Sequence, residues 1–150
     1  MNSLYSILIF IHLVGLAFGV GAATVKVALL LRCKFDRSMI PFYLKIARPI
    51  SHLIVIGIII LTLSGIGLVL EGYPFTTQLI VKLFFVGLIW IIGPIIDNVV
   101  EPKFRFMASN SSEQTAQLSV GFEKIQNRYI TTEVIATLFF YIVIGIWILG

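Results

Sequence analysis

Four apolar runs, near residues 5–30, 49–70, 77–99 and 131–149, take up most of this 150-residue chain and decide its class. Each passes the roughly 18–20 residues needed to cross the hydrocarbon core of a bilayer. No water reaches unpaired backbone groups there, so a spanning segment is either a helix or a strand of a closed barrel. The runs are continuous rather than alternating, which selects helices. Short connections set consecutive spans antiparallel. The predicted fold is all-α: a polytopic membrane protein, a single transmembrane domain built as an antiparallel four-transmembrane-helix bundle, with the lipid bilayer as its first partner. The composition agrees, at 59 % hydrophobic residues and a mean hydropathy of +1.05, against roughly 45–50 % apolar content in soluble domains.

The first run could instead be read as a signal peptide, since Gly21, Ala22 and Ala23 resemble a small-residue cleavage site. The preceding Met1–Tyr5 carries no positive charge, however, and a secretory leader needs one. The run is therefore kept as a span.

Charge sets the expected orientation. Residues 31–48 hold Arg32, Lys34, Arg37, Lys45 and Arg48, and residues 100–130 hold Lys103, Arg105, Lys124 and Arg128, whereas Glu71–Thr76 and both ends of the chain hold neither Lys nor Arg. Loops rich in these residues stay cytoplasmic. The sequence thus predicts cytoplasmic loops at 31–48 and 100–130, both termini outside, and a plasma membrane of prokaryotic type. The net charge of +4 is explained by topology and calls for no nucleic acid. Pro102 is expected to terminate span three, and Ser111 with Gln114 fits a capping box from which a helix restarts, with Gly121 as a hinge.

Several classes of chemistry are excluded. Cys33 is the only cysteine and methionines number three, too few for a disulfide framework or a thioether copper path. The chain has no Gly-rich phosphate loop, no closely spaced His or Cys metal motif and no nucleophile elbow.

Polar residues inside the spans carry what functional signal there is, because such groups face a bundle interior or a cavity. His12 shares one helical stripe with Gly15, Gly19, Ala23 and Lys26, and small residues at that spacing admit either a second helix or a flat ligand. Lys82 shares a stripe with Val86, Ile89, Gly93 and Asp97. Spans one and three run in the same direction, so His12 and Lys82 lie at similar depth and are expected to meet in one pocket. His52 lies at the opposite side of the membrane, roughly 10 Å from His12 along the normal, which makes a bis-histidine clamp awkward. A second polar group is expected at the cytoplasmic side, with Asp97, Asn98 and Glu133 paired to Arg48 or Arg128.

A histidine in span one, a lysine early in span three and an acid at the start of span four resemble the HemJ-type membrane protoporphyrinogen oxidases and the wider group that includes CopD-like domains. The segments "HLVGLAFGVGAATVK", "LSGIGL" and "GPIIDNVVEPKF" look closest to an uncharacterised branch of that group; the oxidases' "NExP" before span four reads "TTEV" here. The resemblance implies an oxidoreductase with b-type haem or porphyrin held by His12 as metal ligand, Gly15 and Gly19 admitting the macrocycle, Lys82 binding the cofactor by pairing a propionate or serving as second ligand or proton donor, and Lys82 and Glu133 in catalysis. Two other readings stand beside it. One is a small ion or proton transport module using His12, Lys82, Asp97 and Glu133. The other is a structural or assembly protein without a cofactor, in which glycine-lined faces also support a homodimer.

Overall fold

The computed structural model describes residues 3–110 and 116–149. The helices are α1 (Ser3–Phe35), α2 (Ile40–Leu70), α3 (Thr77–Ile95), α4 (Glu101–Asn110) and α5 (Ala116–Leu149). A 3₁₀ turn, Arg37–Met39, joins α1 to α2, and a single π turn, Ile96–Val100, joins α3 to α4 without a break. No strand occurs among the described residues. Four stretches are long and apolar enough to cross a membrane: Ser3–Phe35, Arg37–Leu70, Thr77–Ser109 and Val120–Ile146. The protein is an all-α bundle of four such helices.

The helices outrun the apolar stretches at the end rich in Lys and Arg, hereafter the basic end. Residues 31–48, expected as a loop, are helical except around Asp36–Met39. Asp36 stops α1 by accepting from the Ser38 hydroxyl at 2.6 Å and the Ser38 amide at 3.0 Å, bonds that hold its carboxyl below the usual carboxylate range. Pro41 then sits in the first turn of α2, where no amide donor is needed. The extensions are held by an apolar layer of Leu30, Cys33, Tyr43, Ala47, Ile96, Phe104, Phe122 and Tyr129, which rewards helix beyond the membrane-length segment.

Pro102 does not end span three. The π turn closes with the Glu101 amide donating to the carbonyl of Ile96, and Pro102 falls in the first turn of α4, a position that tolerates a missing donor. Helix therefore runs on to Asn110. The Ser111–Gln114 capping box lies outside the described residues, and Gly121 lies within α5 rather than at a hinge.

α1 packs along α2 for most of its length, and α5 packs on α1 and α3. Around the bundle the order is therefore α2, α1, α5, α3, and the seam between α2 and α3 is loosely closed. A second apolar layer, Val20, Ala23, Ile58, Ile89 and Phe140, fills the middle. Between these two layers the bundle is polar.

Candidate functional site

Lys26 occupies that polar layer. On α1 it is bracketed by Ala23 and Leu30, one from each apolar layer, and its side chain is only 1 % exposed. Its ammonium cannot reach water by extending along the helix, as lysines near span ends generally do, so the protein must supply its partners. Four oxygens do so. Nζ lies 2.6 Å from Glu133 Oε1 on α5, 2.7 Å from Ser51 Oγ on α2, and 3.2 Å from both Asp97 Oδ1 in the π turn and Glu101 Oε2 at the start of α4. Every spanning stretch contributes.

The local structure explains the convergence. Asp97 and Glu101 are four residues apart on continuous helix, so both carboxylates project toward α1. Ser51 donates to Asp97 Oδ1 at 3.1 Å, tying α2 to the same carboxylate. The Lys26 ammonium also stands 5.7 Å from the centre of the Tyr129 ring, within cation–π range. Tyr129 in turn donates to Glu101 Oε2 at 3.0 Å and accepts from the Tyr43 hydroxyl at 2.9 Å. Glu101 is anchored on its outer side by Arg105, whose Nε and Nη2 reach Oε1 at 2.9 and 2.8 Å while Nη1 donates to the Leu44 carbonyl at 2.8 Å. The result is a continuous chain of polar contacts from Tyr43 through Tyr129, Glu101 and Lys26 to Glu133.

The charges do not balance. Lys26 and Arg105 supply two positive charges against three carboxylates. Glu101 and Glu133 are both buried, whereas the Asp97 side chain is 30 % exposed and lines a cavity of about 390 Å³ between α2 and α3. One member of the cluster thus faces an entrance. On α5 the interior stripe continues past Glu133 to Thr137, whose buried hydroxyl has no hydrogen-bond partner among the described residues; nor has the Gln126 amide nitrogen, on the other side of Tyr129. No set of three His, Cys, Asp or Glu side chains among the described residues is arranged for a metal ion, and the three carboxylates here converge on an ammonium instead.

The second polar place is at the other end of the bundle. His12 Nδ1 lies 2.9 Å from Ser64 Oγ. Ser64 Oγ also lies 2.6 Å from the Ile60 carbonyl; with its proton committed there, the histidine is the donor and Nε2 keeps its lone pair. Lys82, half-buried near the start of α3, lies within electrostatic range of the ring. His12 and Lys82 both lie toward the end of the bundle away from the basic end, far from Glu133: fifteen residues of helix separate Lys82 from Asp97, roughly 22 Å.

The glycine face is filled by a helix. A Cβ at Gly15 would meet Ile60 Cγ2 at 2.8 Å and the Gly57 carbonyl oxygen at 3.1 Å, and Gly19 lies against Gly57. Gly15 and Gly19 let α2 approach α1, and that face offers no cradle for a haem macrocycle. His12→Ala is then expected to lower the melting temperature in detergent by only a few degrees, because an interhelical hydrogen bond in a membrane protein averages about 0.6 kcal/mol. A fall of roughly 10 °C or more would mean that the ring holds something beyond Ser64.

The stripe containing Lys26 is visible in the sequence, but its partners are not. Asp97 and Glu133 were expected to pair with Arg48 or Arg128, yet the cation between them is Lys26, and Arg48 and Arg128 are exposed. Ser51, Tyr43, Tyr129 and Glu101 were not anticipated. The four-residue spacing of Asp97 and Glu101 and of Tyr129 and Glu133 was the available signal. No family model, curated protein or solved structure matches this chain.

Proposed function

We propose that this integral membrane four-helix protein is a proton-transport module whose exchange site is the Lys26 cluster. The observation that carries the reading is the excess of carboxylate: a lysine needing only structural compensation is satisfied by one acid, whereas three converge on Lys26. Uncompensated charge in a low-dielectric layer is strongly unfavourable, and taking up one proton relieves it. Asp97, at the cavity, receives a proton from water on the basic side. Its loss of charge weakens the pair with Lys26, whose ammonium then rests on Glu133 and Glu101. Protonation of Glu133 instead places the mobile proton on the inner side of the cluster, one helical turn from the Thr137 hydroxyl. With the Lys- and Arg-rich end cytoplasmic, the cavity opens to the cytoplasm, and His12 and Lys82 stand at the far end of the route.

The test is proton flux into proteoliposomes carrying an internal pH dye under an imposed pH gradient. Wild type should dissipate the gradient faster than protein-free vesicles, and Glu133→Gln and Asp97→Asn should each slow it at least about tenfold, the equivalent of 1.4 kcal/mol on the barrier. Wild-type flux equal to that of empty vesicles, or undiminished flux in both folded variants, would leave the cluster a structural device and favour the assembly reading.

A further inference from the structure

The seam between α2 and α3 is longer and more apolar than an entrance for water to Asp97 requires. Its cavity is graded along the bundle axis: Arg48, His52 and Asp97 stand at the basic end, and Val55, Ile58 and Trp90 line it toward the middle of the membrane. Trp90 Nε1 donates to Thr62 Oγ1 at 3.1 Å and ties the two helices together beyond the apolar end. Polar at the headgroup level, apolar at the acyl level and open between two loosely packed helices, the cavity has the polarity profile of a lipid in the leaflet at the basic end.

Its polar end specifies the head. Arg48 and Asp97 carry opposite charges on opposite walls of one cavity, yet form no ion pair with each other, and Arg48 has no hydrogen-bond or ion-pair partner among the described residues. Asp97 makes all its bonds through Oδ1, so Oδ2 remains open. The unpaired guanidinium of Arg48 and the open Oδ2 of Asp97, whose Oδ1 meets Lys26 and Ser51 in a cluster with one carboxylate in excess, complement a head bearing both signs, with the anion toward the guanidinium and a hydrogen-bonding cation toward the carboxylate.

We infer that the α2–α3 groove binds one zwitterionic phospholipid with a primary ammonium, its phosphate against Arg48 and His52, its ammonium against Asp97 and an acyl chain along Val55, Ile58 and Trp90. This site goes beyond the exchange reading and stands without it. A quaternary ammonium presents no N–H to Asp97, and a glycerol head presents no cation, so phosphatidylcholine and phosphatidylglycerol each lose one half of the recognition.

Native mass spectrometry of the full chain in detergent, with equal amounts of phosphatidylethanolamine, phosphatidylcholine and phosphatidylglycerol of matched acyl chains, tests this. The expected result is a one-to-one phosphatidylethanolamine adduct retained about tenfold over either competitor, as the loss of one charge-assisted hydrogen bond implies. Arg48→Gln should weaken retention of all three lipids together, because each carries the phosphate, and Val55→Trp, filling the groove from an exposed position, should abolish retention; both sites lie outside the Lys26 cluster and should melt as wild type does. Equal retention of the three lipids, a preference for phosphatidylglycerol, or a phosphatidylethanolamine adduct unchanged in either variant overturns the assignment. Flux measured in vesicles of phosphatidylcholine and phosphatidylglycerol alone keeps this outcome separate from that of the transport test.

Discussion

Replacing Lys26 by methionine should destabilise the protein by about 3–5 kcal/mol, the range for removing one partner of a buried ion pair. The side chains are similar in length, so little packing is lost; what goes is the ammonium between Glu133, Asp97 and Glu101. Two of those carboxylates are buried, and neither can turn to water. In detergent the change should appear as a melting temperature lower by roughly 10 °C or more, given the shift per kcal/mol of a chain this size. A packing loss and a charge imbalance are separable, because Lys26→Met combined with Glu133→Gln removes a cation and an anion together. The double variant should recover much of the loss despite carrying one more substitution. A single variant melting within about 2 °C of wild type, or a double variant less stable than the single, would show that the ammonium does not hold these carboxylates.

The same cluster shows where a sequence is informative and where it stops. Hydropathy alone locates four spans, because the bilayer demands a minimum apolar length and nothing else in the chain competes with that demand. The helical repeat also places Lys26 on the face of His12, Gly15, Gly19 and Ala23, and that face does turn inward, with Gly15, Gly19, Ala23 and Lys26 all buried. Its chemistry is hidden for a physical reason. A lysine at the basic end of a span ordinarily extends toward the headgroups; whether it does so depends on what covers it, and here Ser51, Asp97, Glu101 and Glu133 lie 25 to 107 positions away in the chain. The ends of the helices were hidden for a related reason. Residues 31–48 carry enough charge to read as loop, but Tyr43 and Ala47 on that stretch are buried against Phe104 and Tyr129, and tertiary packing overrides the local polarity. Pro102 misled in the opposite sense: proline disrupts a helix interior, but the π turn before it starts a new first turn in which proline is harmless.

The largest effect expected from a single methyl group is at Gly57. There α2 comes closest to α1, and an added Cβ would fall on the Gly19 amide nitrogen, 2.6 Å from the Gly19 Cα and 2.9 Å from the Gly15 carbonyl oxygen. All three obstacles are backbone, so no rotamer change relieves the clash and the helices must separate. Small residues at such a crossing are what allows dense packing without a hydrophobic drive between helices. Gly57→Ala should therefore cost about 2–3 kcal/mol, the upper part of the range for overpacking a tight core. The neighbouring glycines supply a graded comparison. At Gly15 the nearest atom is the Ile60 Cγ2 methyl, at 2.8 Å, with the backbone atoms Leu61 N at 3.0 Å and Gly57 O at 3.1 Å behind it, each further off than its counterpart at Gly57, so alanine there should be intermediate; at Gly19 the nearest contact is 3.6 Å, and at Gly21 nothing lies within 4 Å. Alanine at Gly21 should leave stability unchanged or raise it by about 0.5–1 kcal/mol through its better helix propensity. Melting temperatures should thus rank Gly57→Ala lowest, then Gly15→Ala, then Gly19→Ala, with Gly21→Ala highest. A stripe kept for a flat ligand predicts a different order, in which Gly15 and Gly19 matter for ligand retention and Gly57, on the other helix, does not stand out. If Gly57→Ala melts with Gly21→Ala, α1 and α2 are not in the contact described, and the positions of Lys26 and Ser51, one to two turns further along the same two helices, lose their support.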